Sequence, residues 1–141
     1  MKITLKPTFI LAIGLLFTAL TFESCKKYEE GPSLSFRSAK SRLVNVWLLE
    51  ELKVDGNDAT QGLQQTNYKM VFKKDDSFTI EQGGNVNERG TWTFSSDKMQ
   101  VITTNQAGVE REFDIMRLTN KEFWCNIQRG NQKFEYKFKR E

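Results

Sequence analysis

The segment Gln132-Lys133-Phe134-Glu135-Tyr136-Lys137-Phe138-Lys139-Arg140 decides the fold. Rings at 134, 136 and 138 alternate with charges at 133, 135, 137 and 139, the two-residue period of a strand with one buried and one solvated face. Read outward from there, the period recurs along the chain. Phe123, Cys125 and Ile127 form a second apolar row, Tyr68, Met70 and Phe72 a third, and Phe78 with Ile80 a fourth. Trp92 with Phe94 make a fifth row and Met99 with Val101 a sixth.

Eight strands are predicted: Trp47 to Val54, Tyr68 to Lys73, Ser77 to Glu81, Arg89 to Ser95, Met99 to Thr104, Val109 to Leu118, Glu122 to Arg129 and Gln132 to Arg140. The links 74–76, 96–98, 119–121 and 130–131 have hairpin length, so neighbours in sequence should pair antiparallel. A short helical turn is expected over Ser38 to Val44. The expected class is all-β, a small eight-stranded antiparallel up-and-down barrel over residues 41–141, its first strand pairing with its last. A folded-over sandwich satisfies the same alternation, but closure removes both exposed edges.

Composition bounds the chemistry. The chain has 141 residues, 21 Lys plus Arg against 18 Asp plus Glu, two cysteines and no histidine. Without histidine there is no imidazole base, no Ser-His triad and no histidine-ligated metal. Asp55-Gly56-Asn57-Asp58 opens like a calcium loop, but Thr66 stands where the closing carboxylate belongs. Neighbouring acids (Glu50-Glu51, Asp75-Asp76, Glu110 with Glu112) fall on turns or solvent-facing strand positions rather than converging on one cleft. Cys125, in phase with Phe123 and Ile127, reads as a core residue. No enzyme, metal or cofactor is expected.

The N-terminus is a targeting segment. Lys2 and Lys6 precede an uncharged stretch from Phe9 to Leu20, too short to span about 30 Å of hydrocarbon comfortably. Thr21-Phe22-Glu23-Ser24-Cys25-Lys26-Lys27 then resembles the lipobox and early mature region of Bacteroidetes lipoproteins, with Phe22 and Glu23 departing from its stricter form. The resemblance implies a signal peptide over 1–24 and acylation of Cys25, hence a membrane partner through that lipid and an outer-membrane location, facing the periplasm or the cell surface. Residues 25–40 read as a flexible tether, and Glu29-Glu30 resemble the acidic signal that sends such lipoproteins to the surface.

Residues 40–141 resemble the lipocalin-like domains of the same lipoproteins, on Arg42-Leu43-Val44-Asn45-Val46-Trp47 followed by the meander. Trp47 matches the tryptophan that closes one end of the family's barrel, and Asn45 stands in the place of its glycine. Basic packing over that tryptophan is assigned by the resemblance to Arg129 or Arg140. It also implies a small hydrophobic ligand in an open calyx, whereas rings at Phe72, Phe78, Trp92, Phe94, Phe113, Phe123, Phe134, Tyr136 and Phe138 can equally fill a short barrel.

Two longer links, Asp55 to Thr66 and Gln82 to Glu88, belong to one end of a meander together with the Asn105 to Gly108 turn. This gathers Asn57, Gln64, Asn85, Asn87 and Asn105 as candidate ligand or partner contacts, with Tyr68 and Trp92 beneath as an apolar floor. The same residue types also serve ordinary turns. Trp124, pointing opposite to Cys125, is a candidate contact on the outer wall for a protein or glycan. The basic outer face of the last strand reads as solubilising; its aromatics face inward, so no nucleic-acid partner is expected.

Overall fold

The computed structural model describes residues 27–29 and 37–141; the expected signal peptide, Cys25 and most of the expected tether lie outside the described residues. Helix α1 (Ala39–Leu43) leads into β1 (Val46–Val54), the two-residue β2 (Asn57–Asp58) and helix α2 (Thr60–Gln64). The meander continues through β3 (Lys69–Phe72), β4 (Ser77–Gln82), β5 (Asn85–Phe94), β6 (Gln100–Asn105), β7 (Glu110–Leu118), β8 (Glu122–Arg129) and β9 (Gln132–Arg140). Each strand pairs antiparallel with the next in the order β1-β3-β4-β5-β6-β7-β8-β9, and β1 pairs with β9 from Trp47–Arg140 to Val54–Phe134. The sheet is therefore a closed eight-strand barrel, not a sandwich.

Local chemistry explains the corners. Asp75 accepts from the Ser77 amide (3.1 Å) and hydroxyl (2.6 Å), and Asp97 from the Met99 amide (2.9 Å) and Ser95 hydroxyl (2.6 Å). Helix α1 starts on Ser38, whose hydroxyl oxygen accepts from the Ser41 amide. At its other end the Asn45 amide donates to the Arg42 carbonyl (2.8 Å) and the Trp47 indole to that of Leu43 (2.8 Å). Asn45 in the glycine position thus satisfies a helix-terminal carbonyl that would otherwise need water.

One end of the barrel is shut. Leu43, Trp47, Phe72, Leu118, Phe123 and Phe138 are essentially inaccessible there, with Phe123 at 5.7 Å from Trp47, 6.0 Å from Phe72 and 5.9 Å from Phe138 between ring centroids. Beneath them Arg42, also buried, donates to the Leu118 carbonyl (2.7 Å) and lies 5.7 Å from the ring of Tyr28. The basic residue at this end is therefore Arg42. Arg129 lies at the opposite end, 5.3 Å from the Phe134 ring, and Arg140 is an exposed ladder partner of Trp47. Tyr28, within the segment expected to be a flexible tether, is 1% exposed, and its hydroxyl donates to the Lys98 carbonyl (3.2 Å).

Two further expectations change. Gln82 to Glu88 is not a loop: Gln82 pairs with Asn85, Gly83 and Gly84 form a two-residue turn at positive φ, and β5 begins at Asn85. Met99 belongs to the turn before β6 and is 37% exposed, so it is no member of an inward row.

Candidate functional site

The first link does not form a free rim either. Residues 57–58 pair with 53–54 along the edge of β1, and Thr60 Oγ1 accepts from the Leu52 amide (3.0 Å) while its hydroxyl donates to Asp58 (2.5 Å). The segment fills the space left where β1 and β3 pair only through Val46–Val71, Trp47–Met70 and Leu48–Lys69. Gln64 reaches down the outer wall to the Glu50 carbonyl (2.8 Å), in a hollow of about 710 Å³ also lined by Glu51, Asp58 and Lys137. Asn57 donates to the Asp55 carbonyl (3.4 Å) and Asn85 to that of Gly83 (3.4 Å).

Asn87 and Asn105 do come together, in a rim hollow of about 430 Å³ with Val86 and Gln106. Both are engaged: Asn87 is the extra residue of a bulge and donates to Gln82 Oε1 (3.0 Å), and Asn105 accepts from the amides of Ala107 (3.0 Å) and Val109 (2.9 Å). These amides are chiefly turn and bulge chemistry.

Trp92 is not in the mouth. Its indole donates to the Lys73 carbonyl (3.2 Å), it packs edge-on against Phe72 (5.6 Å), and the Lys40 ammonium of α1 lies 5.6 Å from its ring, all at the shut end. Trp124 does face outward, between the Arg117 guanidinium (5.1 Å) and the Lys137 ammonium (4.9 Å). Lys137 in turn pairs with Glu51 (3.2 Å), Lys139 with Glu50 (3.4 Å) and Lys133 with Glu135 (2.9 Å), so the basic face of β9 is paired to carboxylates.

What the inward rows place at the open end is different. Above Ile80, Thr103 and Ile127, the inward phase continues into Glu88, Arg111, Arg129 and Phe134. Glu88 and Arg111 form an ion pair across the mouth, both side chains partly exposed. Deeper lie two phenols: Tyr68, stacked on Phe138 at 6.3 Å, and Tyr136, stacked on Phe138 at 5.7 Å and on Phe134 at 6.4 Å. Neither hydroxyl has a hydrogen-bond partner among the described residues. Burial pushes both phenols up from their ordinary range; Arg129 opposes the shift at both, and Arg111 at Tyr136. Val86 and Val109 stand 42% and 49% exposed on the rim.

Tyr68 is thus the one member of the sequence-derived floor that lines this site. Glu88, Arg111, Arg129 and Tyr136 were not singled out as site residues, although the period that picks out Phe113, Ile127 and Trp92 runs through three of them. Extending each inward row past its last apolar member would have found them. Cys125 lies below, fully buried, its thiol pushed up by desolvation. The arrangement offers ring surface and two partly desolvated phenol donors beneath cationic side chains.

Comparison with known proteins agrees with the architecture. The sequence model described as a lipocalin-like domain matches residues 43–123, more than half of the chain and most of the barrel. No curated protein matches the chain. With the closed meander, the shut end beneath Trp47 and this match in hand, the chain belongs to the lipocalin-like domain family.

Proposed function

We propose that this protein is a non-catalytic binding module, held outside the cytoplasm by a lipid on Cys25 as an outer-membrane lipoprotein of the Bacteroidetes kind, with its ligand seat in the open mouth of the barrel. The observation that carries the seat is the pair of phenol hydroxyls of Tyr68 and Tyr136, without a protein hydrogen-bond partner among the described residues and partly desolvated on a bed of rings with Arg129 nearby. A hydrogen bond to a partly desolvated phenol contributes about 0.5–1.5 kcal/mol net, so a ligand that accepts from both gains affinity from each. The ligand class is a small amphiphile whose acceptor oxygen, carboxylate or carbonyl, meets the phenols while its apolar part lies against Phe134, Ile80 and Ile127. The ring-filled lower half favours a shallow seat over a deep calyx.

The test uses 1-anilinonaphthalene-8-sulfonate, an apolar fluorophore bearing an anionic acceptor, titrated into the folded protein, followed by displacement with a long-chain carboxylate. Saturable binding is expected in the wild type. Tyr68→Phe with Tyr136→Phe keeps both rings and should weaken binding roughly tenfold at unchanged stability. Equal affinity in the double variant refutes the seat. Separately, intact mass of the membrane-extracted protein should show the diacylglycerol and acyl adduct on Cys25, absent from Cys25→Ala.

A further inference from the structure

The shut end of the barrel holds the chain very close to the acylated cysteine. Tyr28 is buried, bonded through its hydroxyl to the Lys98 carbonyl and covered by Arg42, which is itself fixed to the end of β7 through the Leu118 carbonyl. Only two residues, Lys26 and Lys27, separate Cys25 from this contact, a reach of about 11 Å at full extension. A chain free as far as Ser38 would let the barrel take any attitude; one fixed at Tyr28 does not.

The chemistry of the same end agrees. Its turns and α1 expose Lys27, Lys40, Lys73, Lys74, Lys98 and Lys121 around Tyr28, with exposed Met99 beside them. Lys40 is paired with Asp76 (2.5 Å), and Glu29, Asp75 and Asp97 are the other carboxylates among these turns, so six lysines face four acids and the end carries a modest positive excess. Such a surface is attracted to anionic headgroups when held within a Debye length of them. The mouth lies at the far end of strands up to ten residues long, about 20 Å or more away once strand tilt is allowed for.

We infer that the barrel stands on the bilayer by its shut end, latched there by Tyr28 against an anionic phospholipid surface, with the mouth turned away from the lipid. The inference rests on the reading of Cys25 as the acylated residue. It also means that the ligand is met from the aqueous side, not drawn up from the membrane beneath.

The test uses the full chain, expressed with its signal, extracted and reconstituted into phosphatidylethanolamine–phosphatidylglycerol vesicles carrying headgroup nitroxide lipid. A fluorophore is placed at Ser96→Cys on the shut end or Asn131→Cys at the mouth; buried Cys125 does not compete for label. Intact mass first establishes the adduct. With the adduct present, strong quenching at 96 and weak quenching at 131 is the expected result. Tyr28→Ala should abolish that difference at unchanged adduct mass, and Tyr28→Phe, which keeps the ring under Arg42, should largely retain it. Equal quenching at both positions in the acylated wild type overturns the orientation, and a difference that survives Tyr28→Ala overturns the latch. An absent adduct overturns the anchoring reading, and the orientation falls with it.

Discussion

Gly90 is the residue at which one added methyl group should cost the barrel most. It lies on β5 opposite Asn105 of β6 and Phe78 of β4. A Cβ there would stand 2.0 Å from the Thr104 carbonyl oxygen, 2.7 Å from Asn105 Cα and 2.9 Å from Phe78 Cε1. Non-bonded carbon prefers roughly 3.5–4.0 Å, so the strands must part by roughly 1 Å or more. Two of the three obstacles are backbone, and the third is a core ring that is 1% exposed, so none can swing aside. This puts Gly90→Ala near the top of the overpacking range, about 3 kcal/mol, from which about 0.5 kcal/mol is regained through alanine's lower chain entropy. The net loss of about 2.5 kcal/mol should lower Tm by about 10–20 °C. Guanidinium unfolding followed by tryptophan fluorescence, with a thermal melt alongside, reads both. Gly84→Ala is the control: φ is +80° and a Cβ there meets nothing within 4 Å, so only backbone strain of about 1 kcal/mol is expected. If Gly90→Ala lies within about 0.5 kcal/mol of wild type, or costs less than Gly84→Ala, the close approach of β5 and β6 is wrong.

Other expectations follow from the same contacts. Phe123→Ala should cost about 4 kcal/mol in denaturant unfolding, because its ring joins Trp47, Phe72 and Phe138. Thr60→Val should cost about 1 kcal/mol by removing the hydroxyl that receives the Leu52 amide, read as a shift in denaturation midpoint with unchanged m-value. Cys125 should resist iodoacetamide in the folded protein at neutral pH and react on unfolding, followed by mass; rapid alkylation of the native state would contradict its burial. Asp58, Asp75 and Asp97 are held below their ordinary value of 3.8, first by the hydroxyls of Thr60, Ser77 and Ser95. Their contribution is therefore present above that value and lost as pH falls through the lower folded-state values, so Tm should drop below pH 4, and less steeply in Asp75→Asn with Asp97→Asn.

Strand number, pairing partners and the closing contact between β1 and β9 were legible because alternation survives at the single-residue level in β3, β4, β8 and β9. What alternation cannot show is where it skips. Between Leu49 and Glu51 a bulge lets both Glu50 and Glu51 face out and pair with Lys139 and Lys137, shifting the inward phase from Leu49 to Leu52. A second bulge at Met116 separates inward Ile115 from Leu118. Residues 82–88 read as a loop because their Gly, Asn and Gln suit one, yet two glycines suffice for the turn, Gln82 ends β4 and the rest extend β5. The site was less legible. Amides drew attention as good hydrogen-bonders, but their short side chains are consumed by nearby backbone, whereas the groups left for a ligand, Tyr68, Tyr136 and Arg129, are long and reach across the barrel.

The ladder between β1 and β9 carries a kinetic consequence. It is the longest-range strand pairing among the described residues, joining Trp47 to Arg140, and it ties the first barrel strand to the last. Until residues 132–140 are available, β1 is held only by three pairs with β3 and the short return through β2, and its inward Trp47 stays exposed. A chain emerging in order therefore reaches its native state in one late step, and every hairpin formed earlier carries an open edge able to pair with another chain. Folding should be limited by this closure, and removing even the last few residues should trap an aggregation-prone open sheet rather than a slightly weaker barrel.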